Sequence, residues 1–135
     1  MELLLDTNVI LRHLLQDIPA QGEAATRLFA TAERLVLLDV VAAEAVYVLA
    51  SFYRTPRTYI HQTLRALVEM PNVVSPGKPQ LLRALDLYER ERMDFADAYL
   101  LASAEARGEA LVASFDKGLG KAGGAKRLDP LKFRG

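Results

Sequence analysis

The hydrophobic positions of the chain alternate between short apolar runs and longer segments whose apolar residues recur every three or four positions. The second spacing is that of one buried helix face. It predicts six helices, at residues 7–16, 21–33, 39–52, 57–69, 79–92 and 94–107. The short apolar runs predict strands at 2–5, 35–38, within 71–75, at 110–114 and at 126–128.

Strands and helices that alternate in this way indicate an α/β fold with a mostly parallel sheet and helices on both faces. We predict a three-layer α/β/α arrangement around four to five short strands. The 135 residues contain no internal repeat or linker-like segment and are long enough for one continuous core. The chain is therefore predicted to form a single domain over residues 1–135.

The composition excludes several classes of site and location. The chain has no cysteine, which rules out disulfides, thiolate metal sites and cysteine nucleophiles. Its first residues include Glu2 and Asp6 but no basic region, unlike a secretory signal peptide. No uncharged stretch reaches the roughly 18 residues that a membrane-spanning helix needs. We therefore expect a cytoplasmic protein that does not associate with a membrane.

The net charge is zero but unevenly distributed. Residues 117–135 contain six Lys and Arg against Asp129 alone, a local charge of +5 that leaves −5 on the rest of the chain. An acidic body can bind cations while a basic segment contacts a polyanion. A solvated basic tail explains the same pattern, and charge alone does not separate the two interpretations.

Four isolated acids, Asp6, Glu44, Asp97 and Asp116, interrupt stretches that are otherwise apolar. These surroundings predict that all four are buried. An ionised carboxylate in apolar surroundings costs several kcal/mol unless a positive group pairs with it. The apolar stretches offer no matching Lys or Arg, so the pattern predicts an external cation. Because the acids follow predicted strands or begin the helices after them, we expect them to converge at one edge of the sheet.

Three of the acids also have simple structural explanations. Asp6 can cap the helix that follows it. Asp94 and Asp97 resemble a capping box, with Asp at the third helical position. Asp116 fits an ordinary turn. Glu44 caps nothing, and its best structural explanation is a salt bridge to Arg12 or to Arg90.

Other polar residues are less informative. Thr7, Asn8 and Ser114 place small hydrogen-bonding groups beside two of the acids, where a substrate or a metal-bound water would lie, although capping and turn chemistry explain them equally well. His13 and His61 have no metal-ligand spacing, and we interpret them as surface or packing residues.

The segments around the acids resemble a known family. They are LLDTNVILR at 4–12, VAAEAVYVL at 41–49, DFADAYLLASA at 94–104 and SFDKGL at 114–119. In this order, and over about residues 1–130, they resemble the PIN-domain ribonucleases, in particular the VapC toxins of toxin–antitoxin pairs. The resemblance implies a PIN-like three-layer α/β/α fold.

The resemblance also implies a site and a reaction. Its catalytic, metal-binding acids match Asp6, Glu44, Asp97 and Asp116, its polar substrate-positioning residues match Thr7, Asn8 and Ser114, and Asp94 falls at a position that is less consistently acidic. Carboxylate ligands without sulfur suit Mg²⁺ or Mn²⁺. The implied reaction is metal-dependent hydrolysis of RNA that leaves a 5′-phosphate and a 3′-hydroxyl. One or two ions are compatible with the acids, and Asp94 remains either a ligand or a helix cap.

The resemblance implies partners as well. RNA is the substrate, and Arg12, Lys117 and Lys121 are interpreted as contacts to its backbone. VapC-like chains form homodimers and are inhibited by a small antitoxin whose tail covers the acidic pocket. An arginine of such a tail would pair with the carboxylates. The predicted helices at 21–33 and 57–69 are our candidates for the dimer and antitoxin surfaces.

Three alternatives remain at this level. The first is a phosphatase of the haloacid dehalogenase type, since residues 6–9 loosely resemble its nucleophile loop. However, Asn8 and Ile10 stand where that loop has Asp and Thr, and no suitable Lys motif follows. The second is a non-catalytic binding module with the PIN fold. The third is a housekeeping RNA-processing PIN nuclease without an antitoxin.

Overall fold

Short strands alternate with helices along the chain, as the hydrophobic pattern predicts. A computed structural model describes residues 1–108, 111–119 and 126–135. Its helices are α1 (Thr7–Leu15), α2 (Pro19–Thr31), α3 (Asp39–Ser51), α4 (Arg57–Val68), α5 (Lys78–Arg90) and α6 (Phe95–Ala106), with a short 3₁₀ helix at Pro130–Lys132. Its strands are β1 (Glu2–Leu4), β2 (Arg34–Val36), β3 (Val73–Val74), β4 (Leu111–Ala113) and β5 (Lys126–Leu128). None of the described helices is both long and apolar enough to cross a membrane.

The chain divides into two units, and the first, Met1–Lys78, contains a parallel sheet in the order β1-β2-β3. Leu3 pairs with Leu35, which in turn pairs with Val73. The pairing continues beyond β1, where the Leu5 amide donates a hydrogen bond to β2 at 2.9 Å. Helices α1 and α2 connect β1 to β2, and α3 and α4 connect β2 to β3, because parallel neighbours require such crossovers.

The core of the first unit combines the sheet with one face of each helix. Its most deeply buried side chains include Ile10, Leu35, Leu37, Ala45, Leu49, Ile60, Leu64 and Val68. The Asn72 amide donates to the carbonyls of Phe29 and Ala32, each at 2.9 Å, and so joins the end of α2 to the start of β3. These bonds satisfy carbonyls that the helix end leaves without an internal partner.

The corner between α1 and α2 is closed by Gln16, which adopts a left-handed backbone (φ 52°) at the end of α1. Its side-chain amide donates to the carbonyl of His13 at 2.9 Å and to that of Gly22 at 3.2 Å. The His13 ring lies 4.7 Å from the Phe29 ring, and its Nδ1 is 2.9 Å from the Thr26 hydroxyl. Burial lowers the pKa of His13. His13 is thus a packing residue, as predicted.

The second unit, Pro79–Gly135, contains a parallel pair of strands, β4 and β5, in which Val112 lies opposite Arg127. The Arg83 guanidinium makes two hydrogen bonds to the Glu105 carboxylate, at 2.9 and 3.2 Å, and so links α5 to α6. The buried side chains of these helices include Leu81, Ala84, Leu85, Leu87, Phe95, Ala98 and Leu101.

The helix predictions are confirmed to within a few residues at their ends. Helix α2 begins at Pro19, two residues earlier than predicted, because proline is well suited to the first helical position. Gly108, which directly follows the helix predicted at 94–107, has φ +75°, a conformation that glycine adopts without strain. All five predicted strands are present and parallel, in ladders of three and two strands within the described residues. Residues 120–125, which include Lys121, lie outside those residues, as does Ala110 of the strand predicted at 110–114.

Candidate active site

Asp6 lies where β1 leads into α1, with the extended backbone of a helix N-cap (φ −88°, ψ 149°). Its side chain makes no capping hydrogen bond, so the capping explanation is wrong. Asp6 is also exposed, so the prediction that it is buried is wrong. Among the described residues its carboxylate has no hydrogen-bond or ion-pair partner. The carboxylate is therefore open to an external ligand.

Glu44 lies on the one exposed face of α3. The exposed residues of that helix are Val40, Glu44, Tyr47 and Ser51, which we call the α3 stripe. Their spacing of four, three and four residues is that of a single helix face. The prediction that Glu44 is buried is therefore wrong, because its apolar neighbours in sequence, Ala43 and Ala45, lie on other faces.

Arg12 does not neutralise Glu44, contrary to the structural explanation considered for that acid. Its guanidinium is only 14% exposed and lies 3.1 Å from the Asp17 carboxylate. It also donates to the Tyr53 hydroxyl at 3.2 Å. Within the first unit, Glu44 has no ion-pair partner. The RNA-positioning role of Arg12 stays a prediction.

In the second unit, Asp94 and Asp116 both lie close enough to Asp97 to affect it electrostatically. Burial raises the pKa of the half-buried Asp97, and the negative charges of Asp94 and Asp116 raise it further. Asp94 is the N-cap residue of α6, but its side chain makes no capping hydrogen bond, so the capping-box explanation is wrong. No ion pair joins any of the three to another described residue. This cluster therefore carries negative charge that a bound cation would neutralise.

Asp116 belongs to a hydrogen-bonded turn after β4, which confirms the turn explanation. The Ser114 hydroxyl accepts a hydrogen bond from the Asp116 amide at 3.0 Å, and Asp116 Oδ1 accepts one from the Gly118 amide at 2.9 Å. From β5, the Arg127 guanidinium donates to the Ser114 carbonyl at 2.7 Å. These bonds fix the turn and use only one of the two Asp116 carboxylate oxygens. A turn role and a ligand role are thus compatible.

The two polar residues after Asp6 differ in exposure: Thr7 is buried, whereas Asn8 is exposed. Asn8 borders a groove of about 360 Å³ between α1 and α2. The groove is lined by Asn8, Val9, Arg12, Gln21, Ala24, Ala25 and Leu28. It offers a mostly apolar surface that begins two residues from Asp6.

The predicted acids divide between the units, with Asp6 and Glu44 in the first and Asp94, Asp97 and Asp116 in the second. Across residues 1–108, 111–119 and 126–135, no three His, Asp or Glu side chains form a ready-made metal cluster. The donor set nevertheless fits a hard divalent ion, because it consists of carboxylate oxygens and contains no sulfur. Beside such an ion, the ionised form of Asp97 would no longer be destabilised by the neighbouring negative charges.

The sequence matches the PIN domain family over residues 3–125, which spans most of both units. This chain belongs to the PIN domain family. PIN domains are generally nucleases, that is, hydrolases of phosphodiester bonds. The match confirms the predicted PIN-like α/β fold and favours it over the phosphatase alternative. No curated protein matches the chain.

Two features of this PIN domain were missed in the sequence. One is the contact from Arg127 to the Asp116 turn, which no local pattern signals because it joins side chain to backbone across two strands. The other is the exposure of Tyr47 beside Glu44. The position of Tyr47 beside Glu44 could have been predicted, because residues three apart on a helix share a face.

Proposed function

We propose that this PIN domain is a Mg²⁺- or Mn²⁺-dependent endoribonuclease whose catalytic acids are Asp6, Glu44, Asp97 and Asp116, and that Asp94 is a candidate fifth metal ligand. The observation that carries the proposal is the charge of the second-unit cluster. Asp97 is half-buried and held at a raised pKa by burial and by the charges of two neighbouring carboxylates. Such an arrangement destabilises the folded protein unless a bound ligand neutralises the charge. Carboxylates with a perturbed pKa are concentrated at functional sites.

Each of the named residues would have a separate role in the reaction. When bound, a divalent ion lowers the pKa of a water molecule and offsets the charge that develops on the phosphate. Asp116 presents Oδ2 from a turn that Gly118 and Ser114 hold in place. The exposed amide of Asn8 can donate to a phosphate oxygen next to Asp6. Thr7 is buried and so positions the start of α1 rather than the substrate directly.

We further propose that the chain is a VapC-type toxin that forms a homodimer and binds a cognate antitoxin. The groove between α1 and α2 supports this, because a partner segment in it would pass Asn8 and could bring an arginine towards Asp6. It also lies on α2, one of the two helices predicted as partner surfaces. Growth arrest on expression, relieved by co-expression of a small neighbouring reading frame, is the expected result. A housekeeping nuclease would cause no such arrest.

Cleavage of a panel of structured RNAs by purified protein tests the nuclease proposal. We expect cleavage with Mg²⁺ or Mn²⁺ and none with EDTA. Asp97→Asn, purified in parallel, should be inactive, which controls for a contaminating ribonuclease. Cleavage that persists in EDTA and in Asp97→Asn would show that the acids do not form a metal-dependent active site. No cleavage of any RNA by the parent protein would favour the non-catalytic binding module.

The Arg127 contact leads to a second prediction. Arg127→Met removes the 2.7 Å hydrogen bond to the Ser114 carbonyl and should loosen the turn that presents Asp116. Loss of such a supporting contact typically costs about 10–100-fold in activity. Arg134→Met is the matched control, because it removes the same charge from an exposed position of the basic segment. Equal losses of cleavage activity in the two variants would mean that the positive charge of Arg127 supports activity and that its contact with the Asp116 turn does not.

A further inference from the structure

Tyr47 is an exposed aromatic residue on the same helix face as a proposed catalytic acid. Its side chain is 69% exposed, and that of Val40, one turn before Glu44, is 70% exposed. Apart from the α3 stripe, every residue of α3 is buried or half-buried. Tyr47 follows Glu44 by three residues, so their side chains are neighbours, about 5–6 Å apart at Cβ. The Tyr47 hydroxyl has no hydrogen-bond partner among the described residues.

The composition of the α3 stripe limits what can cover it. An apolar protein surface laid over Val40 and Tyr47 would also bury the Glu44 carboxylate, which has no ion-pair partner in its unit. Burying an unpaired charge is strongly unfavourable. A single-stranded nucleic acid avoids that cost when a divalent ion is bound at Glu44, because it offers an apolar base face to the ring and a phosphate oxygen to the ion. The stripe therefore matches a nucleotide better than it matches an apolar protein surface.

We propose that Tyr47 is a positioning residue on which a nucleobase next to the scissile phosphate stacks. The inference rests on the proposed function and specifies its substrate as RNA with unpaired bases. Stacking requires a free base face, which duplex RNA does not provide at this position, whereas loops and single strands do. Stacking on an aromatic ring tolerates any base, so Tyr47 would select unpaired structure rather than sequence.

Steady-state cleavage of one oligoribonucleotide, alone and annealed to its complement, tests this role. Tyr47→Phe keeps the ring and should retain wild-type kinetics. Tyr47→Leu and Tyr47→Ala should raise KM about 5–100-fold with little change in kcat, and should reduce the preference for the unpaired strand. An unchanged KM in Tyr47→Ala, or full activity in Tyr47→Leu, would overturn the proposal.

Phe52 supplies the matched control within the same unit. Its ring is 76% exposed at the end of α3, off the α3 stripe and about 12 Å along the axis from Glu44. Phe52→Ala should leave KM unchanged. A rise in KM equal to that of Tyr47→Ala would mean that any exposed ring contributes, and it would overturn the specific role of Tyr47.

A binding measurement separates the failure of this inference from that of the nuclease proposal. The chain contains no tryptophan, so Tyr47→Trp and Phe52→Trp each introduce a single fluorophore. On rapid mixing with the unpaired strand, before any cleavage, stacking should quench the emission of Tyr47→Trp but not that of Phe52→Trp. Selective quenching in a protein that cleaves nothing would retain the stacking role and reject the nuclease. Cleavage without quenching would retain the nuclease proposal and reject the stacking role of Tyr47.

Discussion

Replacing Asp97 by Asn is expected to reduce RNA cleavage by about 10³-fold while raising the melting temperature of the metal-free protein by a few degrees. The two effects have opposite signs because Asp97 is held near Asp94 and Asp116 in a half-buried position where its ionised form is disfavoured. Asparagine has the same shape without the charge, so it removes this penalty together with the proposed metal ligand. Cleavage assays and thermal unfolding in EDTA measure the two effects.

The stabilisation by Asp97→Asn should depend on pH. The pKa of Asp97 in the folded protein is raised above its ordinary value of 3.8, so the folded state binds the proton more tightly than the unfolded state does. The contribution of Asp97 to stability therefore falls as the pH rises from about 3.8 through the raised folded value, and the full penalty remains above it. The advantage of Asp97→Asn should be small in acid and largest at neutral pH, and saturating Mg²⁺ should remove it.

Asp129→Asn is the matched control for Asp97→Asn. The Asp129 carboxylate accepts a hydrogen bond from the Leu131 amide at 2.9 Å and caps the 3₁₀ helix. Asparagine can accept the same hydrogen bond and caps a helix about as well as aspartate, so Asp129→Asn should change stability little and leave cleavage intact. If Asp97→Asn lowered stability, or cleaved RNA at the wild-type rate, Asp97 would be a structural residue.

Replacing Glu44 by Gln should reduce cleavage by about 10²–10³-fold while changing stability by less than about 0.5 kcal/mol. Glu44 is exposed on the α3 stripe and has no ion-pair partner in its unit, so its charge contributes little to folding stability. A loss of activity without a loss of stability would mark a residue whose role is purely functional. Denaturant unfolding and the cleavage assay, run on one preparation, provide both values.

Glu23→Gln is the control for Glu44→Gln, because Glu23 is likewise exposed and lies on a helix of the same unit. It should alter neither cleavage nor stability. Wild-type cleavage by Glu44→Gln, or destabilisation by more than about 1 kcal/mol, would contradict the role assigned to Glu44.

The order of helices and strands could be predicted because each element carries its own periodic signal. The 3.6-residue spacing of α4 and the short apolar run of β4 are examples. The identity of the acids also followed from the sequence, through their resemblance to the PIN family. Their order along the chain matches that family, although each segment alone is short.

The burial of Asp6, Glu44 and Asp116 was predicted wrongly for a physical reason, since all three are exposed. Apolar neighbours in sequence do not surround a helical side chain, because residues one or two apart point to different faces. Glu44 therefore faces solvent between Val40 and Tyr47, although α3 as a whole is apolar. Asp6 is similarly exposed just after Leu5, which is buried. The case for a cation thus rests on mutual repulsion around Asp97 rather than on the burial of four charges.

Binding of Mn²⁺, followed by electron paramagnetic resonance of the free ion, tests the central proposal most directly. The wild-type protein should bind Mn²⁺, and Mg²⁺ should compete for the site. Each of the substitutions Asp6→Asn, Glu44→Gln, Asp97→Asn and Asp116→Asn should weaken binding by at least about 10-fold, whereas Glu23→Gln and Asp129→Asn should not. If the four variants bind Mn²⁺ as tightly as the wild type, or if the wild type binds none, these acids do not form the metal site of a nuclease.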